Sequence, residues 1–196
     1  MKTILFGLGA IGSNLFVQLV KQYPEWSFVG VDFDHVEDRN LRTQIYFREH
    51  VGYPKASALL QVGIRYVQKL KYVSFLKKID AKTKLTDQLQ SNPGDLWIDC
   101  FDNTESRKAL KAIVPQGVHL LHLGFSPLYS AECLWDEHYD VPGDVDPKQP
   151  DICAMVDAVG FIQMFVGLAV LNLSDWVQTG EKKDFLITNK TSLKKL

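Results

Sequence analysis

Cysteine is scarce in this chain: Cys100, Cys133 and Cys153 are the three present in 196 residues. They are odd in number, lie far apart and form no CxxC pair, which excludes a disulfide framework and a four-cysteine zinc site. Charge of one sign is lacking as well. The net charge is −1 with acids and bases interspersed, so the basic footprint of a general nucleic-acid binder is not expected. Low-complexity, repeated and linker-like stretches are missing, and 46% of the residues are apolar. That composition predicts one ordered domain over residues 1–196 with a full core. The longest apolar run, 159–173, carries Gln163 and Asn172 and is shorter than the ~20 residues a bilayer crossing needs. It reads as a buried helix, and no membrane association is expected. Met1-Lys2-Thr3 leads directly into a strand-like pattern with no room for a signal peptide. A reducing, cytoplasmic setting is the expectation.

What is present falls in a definite order. Residues 3–6 are a short apolar run ending in Gly7-Leu8-Gly9-Ala10-Ile11-Gly12, and residues 13–22 place Leu15, Phe16, Leu19 and Val20 at helical spacing. In a strand–turn–helix context, Gly7 permits the tight turn, Gly9 lets backbone approach a phosphate, and Gly12 lets helix pack on strand. The helix start then offers N–H groups and a positive dipole end to an anion. A glycine turn without a ligand fits the same motif. Residues 26–33 read as the second strand. Asp32 falls about 20 residues past Gly12, where an acid can accept hydrogen bonds from ribose hydroxyls. Asp34 suits either the same site or a cap on the following turn. Pro54 and Lys55 open a helix over 55–70, with Ala58, Leu59, Val62, Tyr66 and Val67 as its buried stripe. A lysine in the first turn opposes the helix dipole, a misfit that favours a phosphate or carboxylate partner, although a snorkelling surface lysine is the commoner fate.

Residues 72–79 read as a third strand, and 86–91 as a short helix ended by Asn92-Pro93-Gly94. The apolar run 95–101 is a fourth strand, followed by Asp102-Asn103-Thr104-Glu105-Ser106-Arg107 and a helix to about residue 114. In open α/β sheets ligands bind outside the carboxyl ends of the strands. Asp102 therefore shares a crevice with Gly9 and Asp32, where it could hold magnesium; a plain helix N-cap is the other reading. The fifth strand, 118–125, carries His119 and His122, to which no role is given because neighbouring acids or cysteines are lacking. Residues 130–135 form a further strand with a structural Cys133, and 136–152 a long polar loop. Cys153 precedes an apolar helix ending near residue 177; a cysteine near a helix start can have a lowered pKa or be buried and inert. Gly180 stops that helix, 184–188 adds an edge strand, and 190–196 is a basic tail. The whole predicts an α/β fold: a Rossmann-like doubly wound, mostly parallel sheet with an additional C-terminal strand and helix extension.

Four blocks, GxGxxG at Gly7 to Gly12, VDFDHVEDRNLRTQ, VGYPKA and DCFDNTESR, cover roughly the first 107 residues. In order and spacing they resemble the ThiF/MoeB/HesA family, the E1-like adenylating enzymes. The resemblance implies binding of MgATP and attack on its α-phosphate by a carboxylate. That carboxylate would be the C-terminal glycine of a small ubiquitin-like or sulfur-carrier protein, and the enzyme a homo- or heterodimer. It also implies a site in which Gly7, Gly9, Ile11, Gly12 and Asp34 line the nucleotide. Within it Asp32 would hold the ribose, Asn40 and Lys55 the phosphates, and Asp102, beside Asn103, the magnesium.

The chain departs from that pattern in three ways. The family turn commonly reads NLNRQ, whereas Thr43 stands here at the phosphate-binding arginine position, and Arg42, one place early, or Arg39 nearby is the candidate catalytic and nucleotide-binding substitute. An N-terminal helical segment that lends an arginine across the dimer in many relatives is not seen before the first strand. Zinc-binding CxxC pairs are missing, so no zinc is expected. Cys153 falls roughly where several relatives keep a thioester- or persulfide-forming cysteine. Three readings follow: an ATP-dependent adenylyltransferase, a non-catalytic E1-like subunit that binds nucleotide or a partner, and an NAD-dependent oxidoreductase. The last leaves the 40–55 block and Asp102 without a purpose.

Overall fold

The computed structural model describes residues 1–126, 130–143 and 157–188. Among these residues seven strands form one sheet in the order β3-β2-β1-β4-β5-β6-β7. Strands β1 (Lys2–Phe6), β2 (Ser27–Val31), β3 (Lys71–Phe75), β4 (Leu96–Asp99) and β5 (His119–Ser126) are parallel. Strands β6 (Ser130–Trp135) and β7 (Phe185–Thr188) extend the sheet antiparallel. This is the Rossmann-like α/β fold with a C-terminal extension that the alternating pattern predicts. The chain moves outward from β1 to β3, then returns to place β4 on the other side of β1. The topological switch therefore lies between β1 and β4, and the crevice forms beyond their carboxyl ends.

Both faces of the sheet are covered. On one face α1 (Ala10–Gln22), α2 (Lys55–Ile64) and α4 (Ala158–Thr179) pack into a core that includes Leu15, Phe16, Leu59, Phe165 and Trp176. On the other, α3 (Thr104–Ile113) and the 76–95 segment cover Ile4, Phe6, Val29, Trp97 and Leu120 with Leu110, Ile79 and Leu89. Parallel strands buried on both sides should be almost wholly apolar, and β4 obeys this until its last residue, Asp99. By length and composition α4, 22 residues long, could cross a membrane, with a mean hydropathy of 1.5 in an 18-residue window. Its stripe Ala158, Phe161, Ile162, Phe165, Val166, Ala169 and Leu173 is instead buried against α1 and the sheet. Gly180, at φ 75°, ends it in the left-handed conformation that glycine adopts without a Cβ clash.

Several boundaries differ from expectation. The expected helix at 86–91 is one isolated turn, closed by the Leu89 and Gln90 amides on the Thr86 carbonyl. Helix α2 stops at Ile64, six residues early, and β3 at Phe75. A Cβ on Gly63 would lie 2.5 Å from the Leu70 side chain; Leu70 thus folds back over Gly63, and the chain must leave the helix to allow it. Helix α1 starts at Ala10, inside the glycine motif rather than after it. Of the expected 136–152 loop, Asp136–His138 is a 3-10 turn. Cys153 and the 190–196 tail lie outside the described residues.

Candidate functional site

The glycine turn joins two strand ends. Gly7 has φ 80°, and a Cβ there would lie 2.9 Å from the Cys100 carbonyl oxygen. A Cβ on Gly12 would lie 2.0 Å from the Gly7 oxygen, so this position tolerates no side chain. A Cβ on Gly9 would meet nothing beyond its chain neighbours within 4 Å, so a ligand has room to approach the backbone on that side. Gly9 is also the N-cap of α1, which carries neither a side-chain cap nor an acid in its first turn. Its first N–H groups are therefore presented toward an anion. Ile11 can contribute only backbone, because its side chain is buried in the core.

Asp32 ties the turn to β2. Its Oδ2 accepts from the Leu8 amide at 2.6 Å and its Oδ1 from the Asp34 amide at 2.8 Å. It is 6% exposed. Burial raises its pKa, against the opposing pull of Lys55 and of the two amides. The Lys55 side chain is 9% exposed and its Nζ sits 3.1 Å from Asp34 Oδ2. The lysine in the first helical turn thus has a carboxylate partner within the chain. Tyr46 donates its hydroxyl to the Leu8 carbonyl at 2.9 Å and completes the wall around Asp32.

The 37–46 turn is braced from beneath. Asn40 is buried, and its Oδ1 accepts from the Glu37 amide at 2.9 Å. Thr43 is buried, and its carbonyl accepts from Asn14 Nδ2 at 2.8 Å. Asn14 Oδ1 in turn accepts from Gln163 Nε2 at 2.7 Å, linking α4 to this turn. Arg42 is exposed, and Arg39 pairs with Glu37 at 2.6 Å. The arginine position of the family pattern thus faces inward here, and Arg42 faces solvent.

On the neighbouring strand end, the cap of α3 is Asn103, whose Oδ1 accepts from the Ser106 amide at 2.8 Å. Asp102 is therefore not the N-cap, which removes its structural alternative. It is exposed, with its carboxylate 3.5 Å from Asn103 Nδ2. Among the described residues no three His, Cys, Asp or Glu side chains gather to hold a metal. A single open carboxylate is nonetheless the donor set that magnesium takes when phosphates supply its other ligands, so Asp102 fits that ion.

The structure also shows a group that spacing alone does not reveal. Asp99 and His122 are fully buried, 2.9 Å apart, and the far nitrogen of His122 lies 3.1 Å from Asp136. Arg107 reaches from α3 into the same cluster. Burial opposes its charge, but Asp99 and Tyr139 outweigh this and raise its pKa. The only hint in the sequence is that an acid and a histidine interrupt two otherwise apolar strands. Cys133 is buried and its thiol is pushed up to about 12, mainly by burial, in keeping with a structural role.

The described contacts join the glycine turn, Asp32, Asp34 and Lys55 into one bonded group. Asp102 and Asn103 follow on the adjacent strand, where the Cys100 amide donates to the Phe6 carbonyl at 2.8 Å. The sequence profile of the ThiF family matches residues 1–186. The fold is similar to the crystal structure of E. coli MccB + ATP, with a TM-score of 0.71 at 16% identity, over 96% of this chain and 60% of that one. For E. coli MccB + MccA-N7isoASN the values are 0.71 and 16%, over 96% and 61%. For PaaA they are 0.70 and 15%, over 97% and 61%. The chain spans about three fifths of the length of these structures, and at such identity the likeness is one of fold. No curated protein sequence matches it.

Two stability outcomes follow from this geometry. Asp32→Ala strands two amides in a buried turn and should cost about 3 kcal/mol in denaturant unfolding. Gly12→Ala should cost about as much through overpacking, whereas Gly9→Ala, with open space around it, should stay within about 0.5 kcal/mol.

Proposed function

The chain belongs to the ThiF family, and from that premise we propose that it is an ATP-dependent adenylyltransferase. Its acceptor is the C-terminal carboxylate of a small ubiquitin-like or sulfur-carrier protein. One observation carries this reading: an uncapped helix start with open space at Gly9, with Lys55 and Asp102 following the carboxyl ends of the strands on either side of β1. The likeness to a fold solved with ATP supports it.

In the proposed reaction a carboxylate oxygen of the acceptor attacks the α-phosphorus of ATP. The α–β phosphoanhydride bond breaks, and acyl-adenylate and pyrophosphate are the products. Such a step needs charge neutralisation and in-line placement more than covalent help from the protein. The α1 amides receive phosphate oxygens, and Lys55 moves its charge from Asp34 toward them. Asp32 has lone pairs left on each oxygen after binding Leu8 and Asp34, and these accept from the ribose. Asp102 would hold magnesium, which would supply neutralisation of the phosphate charge. Residues 1–196 act as one nucleotide-binding unit, in a cytoplasmic homo- or heterodimer.

Thr43 favours a second reading. Its position is buried, so the charge that an arginine supplies there in relatives is missing. A subunit that binds nucleotide or a partner without turnover accounts for that loss.

Pyrophosphate exchange with an acceptor ending in Gly-Gly separates the two, and the first reading expects acceptor-dependent exchange. ATP binding in calorimetry with no exchange for any acceptor supports the second. Tight NADH binding without any response to ATP overturns both. Asp102→Ala should abolish magnesium-dependent exchange with an unchanged unfolding midpoint. Exchange at the wild-type rate would remove Asp102 from the mechanism.

A further inference from the structure

The nucleotide reading leaves one buried polar cluster without a task. Asp99, Arg107, His122 and Tyr139 are all buried, and two of them, Asp99 and Arg107, bond to Phe101, the residue before Asp102. The Phe101 amide donates to Asp99 Oδ1 at 2.9 Å. Its carbonyl accepts from Arg107 Nε at 2.8 Å and from Arg107 Nη2. A carboxylate and a guanidinium thus hold both polar backbone atoms of this one residue. The two groups are themselves fixed. Arg107 Nη1 donates to the Tyr139 hydroxyl at 2.7 Å and stands 3.5 Å from Asp99 Oδ2, and Nη2 donates to the Leu123 carbonyl at 3.0 Å. His122 bridges Asp99 and Asp136 and stacks on Tyr139, with ring centres 3.7 Å apart. Lys111 closes the far end, 3.2 Å from Asp136.

Charges buried in this way are a poor means to stability, because apolar side chains of similar volume often do as well. What they supply is restricted geometry. A planar guanidinium with three hydrogen-bonded partners and an ion pair admits few arrangements of the chain around it.

We propose that Arg107, with Asp99, is a positioning residue for nucleotide binding, fixing the Phe101 peptide so that Asp102 and Asn103 leave β4 in one orientation toward the phosphates. The inference rests on the nucleotide reading above. Arg107 does not touch the ligand and acts through Asp102. Lysine cannot replace it, since one ammonium cannot span the Phe101 carbonyl, the Leu123 carbonyl and the Tyr139 hydroxyl together.

The test is a double-mutant cycle on the full chain, with MgATP calorimetry and amide hydrogen exchange as readouts. Arg107→Lys should speed exchange at residues 101–104 about tenfold and weaken MgATP about fivefold to tenfold. In an Asp102→Ala background the same substitution should leave MgATP affinity unchanged. Equal losses in both backgrounds, or unchanged exchange at 101–104, overturn the positioning role and leave the nucleotide reading standing. A wild-type chain that does not bind MgATP overturns both. If Arg107→Lys does not fold, Tyr139→Phe removes only the hydroxyl that Nη1 meets. It should give about a twofold loss that depends on Asp102, and a loss independent of Asp102 again overturns the role.

Discussion

A chain that leaves a parallel sheet buried on both faces carries backbone N–H and C=O groups out of the last ladder with no strand to receive them. Orphaned, each costs on the order of 1–3 kcal/mol. In this protein two carboxylates meet that requirement. Asp32 receives the amides of Leu8 and Asp34, and Asp99 receives the amide of Phe101. Each stands where a strand gives way to a loop, and each is buried. The geometry of the crevice follows from these two positions. The glycine turn hangs from the first, and the loop bearing Asp102 from the second.

Burying two carboxylates calls for compensation, and the surrounding sequence supplies it differently at each. Near Asp32 the positive charge is Lys55, whose Nζ lies beside Asp34, so an ammonium can exchange one oxygen for another as a ligand arrives. Near Asp99 it is Arg107, locked by carbonyls and a phenol. The first arrangement suits a contact that changes partner, and the second one that stays. Arginine and lysine differ in the way this division requires, one a rigid fork and the other a mobile point charge.

Much of this was legible in advance, and what was not has physical reasons. The glycine motif and Asp32 act through local backbone geometry, so their spacing carries the information. The family likeness rests on the same blocks. Asp102 and Asn103 could not be told apart as caps, because both residue types suit an N-cap and only the Ser106 amide chooses between them. His122 has no acid beside it in the sequence; its partners, Asp99 and Asp136, come from 23 and 14 residues away. The missing helix at 86–91 shows the reverse failure. Its local pattern allows a helix, but the chain there serves to bring Leu89 onto the sheet. Thr43 is the residue where likeness and structure pull apart, since the resemblance implies an arginine at a position that the structure buries with a threonine.

The open sheet has one more consequence. Among the described residues the sheet does not close and has two rims, β3 and β7, whose outer backbone groups could template a strand from another molecule. Both rims are short, five and four residues. Lys71 starts one, and Lys182, Lys183 and Asp184 precede the other. Short strands flanked by charge are poor seeds for edge-to-edge growth, so this sheet can remain open without inviting aggregation.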